Sequence, residues 1–289
     1  MSERSRRGAW SAFLVALIWG VNVPVMKSAI AGLHPFTFNA LRLSCSVLVL
    51  GAAEALARRG ERAPIPWRTV LFLALLTSVA YQALFIGGIA RTSAGHTGFI
   101  VASGPLWTAL AGRLMGVERL GARAWLGLVT AFAGTTLVVA TAGGREATLA
   151  GNLLVLAAMV AWAVGAVHSR AVLETFPAGR LAFLTSLVAL PGHWLIAAPH
   201  LGELQASALD GALWASVLYS GGLSTGLAYI LWNASVQSVG PARTSAYTNL
   251  VPLVALGTAW AWLGERPTLD QIAGGALILA GIASWRARG

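Results

Sequence analysis

The sequence predicts an all-α integral membrane protein: ten transmembrane helices in two inverted five-helix repeats, with both termini in the cytoplasm. Three observations predict it. Ten apolar runs follow one another with short polar connections, and about 20 apolar residues suffice to span a bilayer. Charged residues are 10 % of the chain and apolar residues 57 %, where a soluble domain carries about 25 % charged residues. The chain also repeats itself. Pro105 and Pro252 are 147 positions apart, as are Glu118-Arg119 and Glu265-Arg266, Gly127 and Gly274, and Gly134 and Gly281. Gly8 and Trp19 return as Gly151 and Trp162, 143 positions later.

The first half, 8–141, holds runs at 9–30, 36–57, 68–89, 94–116 and 122–141. The second, 151–285, holds runs at 151–171, 180–198, 211–236, 241–263 and 268–285. Helices are the expected spanning form, because barrel strands are alternating segments of about ten residues. The first run follows the basic cluster Arg4–Arg7 as a signal peptide would, but it is too long for a signal and lacks a small-x-small cleavage site. It reads as a retained helix. The second carries the lone Cys45, which excludes an intrachain disulfide. The fifth and tenth carry Gly127/Gly134 and Gly274/Gly281, two turns apart, which mark close-packing stripes on scaffold helices and a possible homodimer face.

The net charge of +10 is distributed for a bilayer and not for nucleic acid. With the N-terminus inside, fifteen arginines from Arg4 to Arg288 fall on one side, and Arg91, Arg145 and Arg266 flank helices on the other. That is the positive-inside pattern. Five helices per half is an odd number, so the second half enters with the opposite orientation. Inverted repeats place a solute site near the midplane, where the halves meet.

Most of the twelve tryptophans fall near helix ends, as aromatic belts do. Trp10, Trp67, Trp125, Trp232 and Trp285 read as the inner belt; Trp194, Trp214, Trp260 and Trp262 read as the outer one. Trp19, Trp107 and Trp162 lie mid-helix. They are either packing or lipid-facing residues or an aromatic wall for a solute. Polar groups deep in the runs need a reason. These are Asn22, on the Trp19 face of its helix, Tyr81 and Gln82, His96 and Ser103, His168, Tyr229 and Asn233, and Tyr247. Each could bond a neighbouring helix. As a set they suit an uncharged, aromatic-edged cavity for a small neutral or zwitterionic solute. Of the bases, Lys27 is expected to snorkel. Arg42 is expected to bond helix-end carbonyls near the outer face, the alternative being a substrate carboxylate. Pro24, Pro105, Pro191 and Pro252 each remove a backbone hydrogen bond and bend a helix. Pro105 and Pro252, equivalent and oppositely oriented, are expected as paired gates, with Pro24 beside them.

Leu263-Gly264-Glu265-Arg266 followed by the Gly274…Gly281 helix resembles the EamA repeat of the drug/metabolite transporter superfamily. So do Asn39-Ala40-Leu41-Arg42-Leu43 and the prolines of the fourth and ninth helices. Gly116-Val117-Glu118-Arg119 departs slightly from that pattern. The resemblance covers about the whole chain and implies a multi-pass transporter of the cell inner membrane. Within the family the tryptophan-rich, uncharged interior is most similar to YddG-type exporters of aromatic and other neutral amino acids; outward direction is implied by that resemblance alone.

Other classes fit less well. There are no paired intramembrane aspartates, no HExxH and no G-x-S-x-G elbow, so no catalytic residues are expected. No Cys/His spacing suggests a metal, and no cofactor is expected. A proton-coupled drug or quaternary-cation exporter needs a membrane carboxylate, and none of the ten acids lies near a helix centre. A phosphate-bearing solute needs several buried bases. The expected partners are the lipid bilayer and a small-molecule substrate moved by alternating access without obligatory ion coupling.

Overall fold

The computed structural model describes residues 3–57, 64–91, 100–101, 103–117, 119–140, 148–204, 209–254, 257–258 and 269–284. His96, Glu118, Trp260, Trp262, the Leu263–Arg266 motif and Trp285 lie outside them, as does the side chain of Lys27. Among the described residues every regular element is helical. They are α1 Glu3–Gly32, α2 Pro35–Leu56, α3 Trp67–Ile89, α4 Gly104–Leu114, α5 Ala122–Ala140, α6 Leu149–Leu173 and α7 Ala178–Ala197. A 3-10 turn, Ala198–Glu203, follows α7. Helix α8 comprises Gly211–Val217, Leu218–Leu227 and Ala228–Val239. Helix α9 begins with Pro241–Ala246 and Tyr247–Leu250, and α10 is Leu269–Ser284. Each falls on one predicted apolar run. Five of them (α1, α2, α3, α6 and α7 with its turn) are long and apolar enough to cross a membrane.

Local chemistry sets the boundaries. Thr148 caps α6 by accepting the Gly151 N–H at 3.1 Å, and its hydroxyl donates to the Arg91 carbonyl at 2.6 Å. Asp210 caps α8 through the Leu213 N–H at 2.7 Å. Gly240 at φ 88° turns the chain sharply into Pro241, and only glycine takes that conformation freely. Among the described residues, two stretches are wider than the α form. Ala74–Ala80 of α3 and Leu218–Leu227 of α8 are π-helical, in equivalent helices of the two halves. Composition does not distinguish the wider coil from the α form, so the sequence gives no warning of it.

The halves pack as a pseudo-twofold. Helices equivalent in sequence touch each other: α2 with α7, α4 with α9, α5 with α10. Every other major contact between halves has its counterpart. Helix α3 meets α6 and α7, while α8 meets α1 and α2; α4 meets α6, while α9 meets α1. The glycine stripes show the direction. A Cβ on Gly134 would lie 2.5 Å from the Gly274 carbonyl oxygen, and one on Gly281 would lie 2.6 Å from that of Gly127. The equivalent helices α5 and α10 therefore run antiparallel with their stripes in contact. This corrects the expected dimer face, since the close-packing surface is filled from within the chain.

The largest buried apolar cluster joins α1, α3, α6, α7 and α8 through Val15, Val70, Leu73, Leu173, Leu181 and Trp232. A second ties α1 to α9 and α10 through Ala12, Ala16, Tyr247, Leu250 and Ile278. These frames hold the inner faces of α1, α3, α6 and α8 against one another.

Candidate binding site: an aromatic cage beside a buried arginine

Five rings from four helices converge at the interface of the halves. Trp19 and Trp162 meet edge to face, centroids 5.7 Å apart. Trp19 stacks on Trp232 at 5.3 Å, and Trp162 lies 5.1 Å from Trp232, 5.7 Å from Tyr229 and 5.0 Å from Tyr81. The Trp19 indole N–H donates to the Ser224 carbonyl at 2.9 Å, inside the π-helical stretch of α8. Trp232, expected in the inner belt, is instead 3 % exposed and completes this cage. Its run ends four residues later, and that position gave the misleading signal. Trp10, Trp67 and Trp214 are exposed, as belt residues are. Trp194, also expected in a belt, donates to the Ser44 hydroxyl of α2 at 3.0 Å.

One residue from the cage begins a polar network. The Gln82 side-chain amide donates to the Tyr229 hydroxyl at 3.2 Å. The Gln82 side-chain carbonyl accepts from the Arg42 guanidinium at 2.6 Å. Arg42 also donates to Asn39 Oδ1 at 3.0 Å and to the Ser220 hydroxyl at 3.3 Å. It is 3 % exposed. Its partners are neutral side chains from α2, α3 and α8, which corrects the expectation of helix-end carbonyls. No ion pair of Arg42 occurs among the described residues, where the three ion pairs are Arg7–Glu3, Arg180–Glu54 and His200–Glu203. A guanidinium in this setting keeps its charge. Neutral acceptors offset its desolvation only in part.

His193 of α7, 2 % exposed, extends the network. Asn39 gives its oxygen to Arg42, so its amide N–H2 faces His193 Nδ1 at 3.2 Å. Nδ1 then accepts, and Nε2–H donates to the Ser78 hydroxyl at 3.1 Å. The guanidinium thus orients Asn39, and Asn39 selects the imidazole tautomer. Sequence reasoning missed His193 and Asn39 as site residues. The three-residue spacing of Asn39 and Arg42 on one helix face was the available signal; nothing in the sequence places α7 beside them. Both π-helical stretches serve this network, α3 through Ser78 and α8 through Ser220.

The other predicted residues separate. Tyr81 and Gln82 are adjacent in the site, and Tyr229 bridges cage and network. Asn233 donates to the Ala178 carbonyl at 3.2 Å and lines a cavity of about 40 Å³ with Trp162, Tyr229, Trp232, Thr77 and Ser78. That volume admits water but no amino acid. Trp107 donates to the hydroxyl of Ser103, the residue just before its own helix, at 2.9 Å, a local bond that does not involve the cage. Tyr247 packs in the α1–α9–α10 cluster. His168 lies against Phe72, centroids 4.6 Å apart. Asn22 Oδ1 and both side-chain polar atoms of Asn249 are buried without a partner among the described residues, although buried polar atoms are normally satisfied. Helix α1, which carries Asn22, packs on the 3-10 segment that carries Asn249. Pro24 lies inside α1, Pro105 in the first turn of α4, and Pro252 two residues past the 3-10 segment of α9.

The model of the EamA-like transporter family matches twice, at residues 6–140 and 149–285. A "Probable amino-acid metabolite efflux pump" of Salmonella typhimurium is 27 % identical over 96 % of this chain and 94 % of its own length. A "Probable terminal-alkyne amino-acid exporter" of Streptantibioticus cattleyicolor is 27 % identical over 96 % of this chain and 91 % of its own. A solved crystal structure, 21 % identical, superposes with a TM-score of 0.82 over 97 % of this chain and 98 % of that one, a likeness of fold.

Proposed function

The chain belongs to the EamA-like transporter family, and on that premise we propose that it carries small neutral or zwitterionic metabolites, amino acids including aromatic ones, outward across the inner membrane. In this reading ten helices span the bilayer as two repeats, 8–141 and 151–285, with both termini in the cytoplasm. The observation that carries the proposal is the joining of the aromatic cage to Arg42 through Gln82 and Tyr229. An aromatic side chain finds ring faces in Trp19, Trp162, Trp232 and Tyr81. A carboxylate finds a guanidinium that has no acidic partner among the described residues. Asn22 and Asn249 offer buried hydrogen-bonding groups to the rest of the solute. The Salmonella relative named a probable amino-acid metabolite efflux pump and the Streptantibioticus relative named a probable terminal-alkyne amino-acid exporter agree with this reading.

The inverted packing supports alternating access, in which the two halves exchange which side of the site they close. Pro105 and Pro252 are the paired gates of that motion, with Pro24 bending α1 beside the cage. Solute flows down its own gradient in this account, with no ion obligatorily moved. Among the described residues His193 is the one histidine in the network, and both of its ring nitrogens are engaged by neutral partners. A drug or quaternary-cation exporter is the second reading, and Arg42 argues against it, because a buried positive charge repels a cationic solute.

The test is counterflow in proteoliposomes with a panel of aromatic, aliphatic and hydroxy amino acids, quaternary cations and sugar phosphates. The proposal expects exchange of amino acids. Exchange of quaternary cations with no amino-acid exchange would contradict it.

A further inference from the structure

Behind the cage, α3, α6, α7 and α8 enclose the cavity of about 40 Å³. Three cage rings, Trp162, Tyr229 and Trp232, form part of its wall. The polar part of the wall is mostly alcohols: Thr77 and Ser78 of α3, Ser169 of α6, and Thr185 and Ser186 of α7. Three of the hydroxyl hydrogens are committed within their own helices. Thr77 donates to the Leu73 carbonyl at 2.8 Å, Ser169 to that of Ala166 at 2.9 Å, and Thr185 to that of Leu181 at 2.8 Å. These hydroxyls have only oxygen lone pairs left to offer the cavity. Asn233 donates through Nδ2 to Ala178 and keeps its Oδ1 as an acceptor. Ser186 is 5 % exposed, and its hydroxyl has no hydrogen-bond partner among the described residues. A serine so deeply buried is normally satisfied, and the cavity is where its partner can enter.

We propose that this cavity is a specificity pocket for a hydrogen-bond donor on the ring of an aromatic amino acid, the phenol hydroxyl of tyrosine being the group of fitting size. The inference rests on the reading of the cage as the aromatic site of the solute. A side chain lying against Trp162, Tyr229 and Trp232 brings its far edge to the cavity that those rings border. The volume takes a water-sized group, and a hydroxyl is one. A phenol O–H gives the lone pairs the donor that water would otherwise supply, and Ser186 gains its partner. The edge of a phenylalanine ring offers these oxygens nothing. A methoxy group adds volume and one more acceptor to a wall already rich in them.

The experiment measures displacement of radiolabelled tyrosine from the purified full chain in detergent. Tyrosine and 4-aminophenylalanine carry a ring donor and should bind about five- to tenfold more tightly than phenylalanine and O-methyltyrosine, as one further hydrogen bond allows. Ser186→Ala and Thr185→Val should each shrink the tyrosine-over-phenylalanine ratio to about twofold or less. Thr130→Val, on the exposed side of α5, should leave it unchanged. Equal displacement by tyrosine and phenylalanine, an undiminished ratio in both variants, or no saturable tyrosine binding overturns the inference. Should one variant misfold, the other variant and the wild-type ligand series still decide. Counterflow separates the outcome from the transport reading. Phenylalanine exchange without a tyrosine preference in binding keeps that reading and ends the pocket; a tyrosine preference in binding without amino-acid exchange keeps the pocket and ends that reading.

Discussion

Gln82 and Tyr229 are 147 positions apart in the chain and share a hydrogen bond of 3.2 Å. The same interval separates Pro105 from Pro252. Residues on a twofold axis meet their own equivalents, and this pair does so at the junction of cage and network. Trp19 and Trp162, 143 apart, meet in the same way with ring centroids 5.7 Å apart. The pair predicts an order of effects. Tyr229→Phe removes one neutral hydrogen bond, about 1 kcal/mol, and should lower apparent solute affinity about fivefold. Gln82→Leu also strips an acceptor from Arg42 and should abolish counterflow. Equal, small effects of the two variants in a proteoliposome assay would separate Gln82 from the site.

Arg42→Met is expected to divide stability from transport. Arg42 has no counter-ion among the described residues, and replacing buried ionic groups by apolar side chains of similar volume is often neutral or stabilising, by about 1–4 kcal/mol for a buried pair. The variant should keep its thermal midpoint or gain, while amino-acid counterflow disappears. Arg42→Lys should not restore transport, because an ammonium cannot reach Asn39, Ser220 and Gln82 in the geometry of the planar guanidinium. A marked loss of thermal midpoint in Arg42→Met would make the arginine a structural residue.

Trp232→Phe should weaken aromatic solutes about two- to tenfold, in line with about 0.5–1.5 kcal/mol for an aromatic pair. Trp10→Phe, at a position 60 % exposed, should change nothing. Competition by unlabelled aromatic amino acids in counterflow measures both. Equal affinities in the two variants would return Trp232 to packing.

What the sequence made legible follows from what sequence can encode. The repeat and the apolar runs are intervals along one chain; the described helices fall on those runs, and the glycine stripes of α5 and α10 meet each other. Trp19, Trp162, Tyr81, Gln82 and Tyr229 were legible because polar or amphipathic groups stand out in an apolar run. Trp232 was not, because the end of an apolar run is where a belt tryptophan is also found. His193, near the end of its run, had no local signal. Its role comes from Asn39 and Ser78 on other helices, which only tertiary packing brings within 3.2 Å. The π-helical stretches were not legible either, since residues of the same types form ordinary α-helix elsewhere in the chain.

The π-helical stretch of α8 makes a packing prediction. A Cβ on Gly221 would lie 2.1 Å from the Arg42 carbonyl oxygen, a backbone atom that cannot turn aside. Gly221→Ala should therefore destabilise the protein by about 1–3 kcal/mol and displace α2 with its arginine. Gly202→Ala, where nothing lies within 4 Å, should be neutral. Thermal midpoints of the two variants decide; equal midpoints would contradict the close approach of α2 and α8.

The central claim is that a carboxylate meets Arg42 while an aromatic side chain enters the cage. The most direct measurement is counterflow in proteoliposomes of radiolabelled phenylalanine against an inside load of phenylalanine, phenethylamine or 3-phenylpropionate. The account predicts that phenylalanine exchanges and that phenethylamine, which keeps the ring and amine but lacks the carboxylate, does not. Exchange driven equally well by phenethylamine would contradict it, leaving the cage as a ring-binding site in which the buried arginine plays no part.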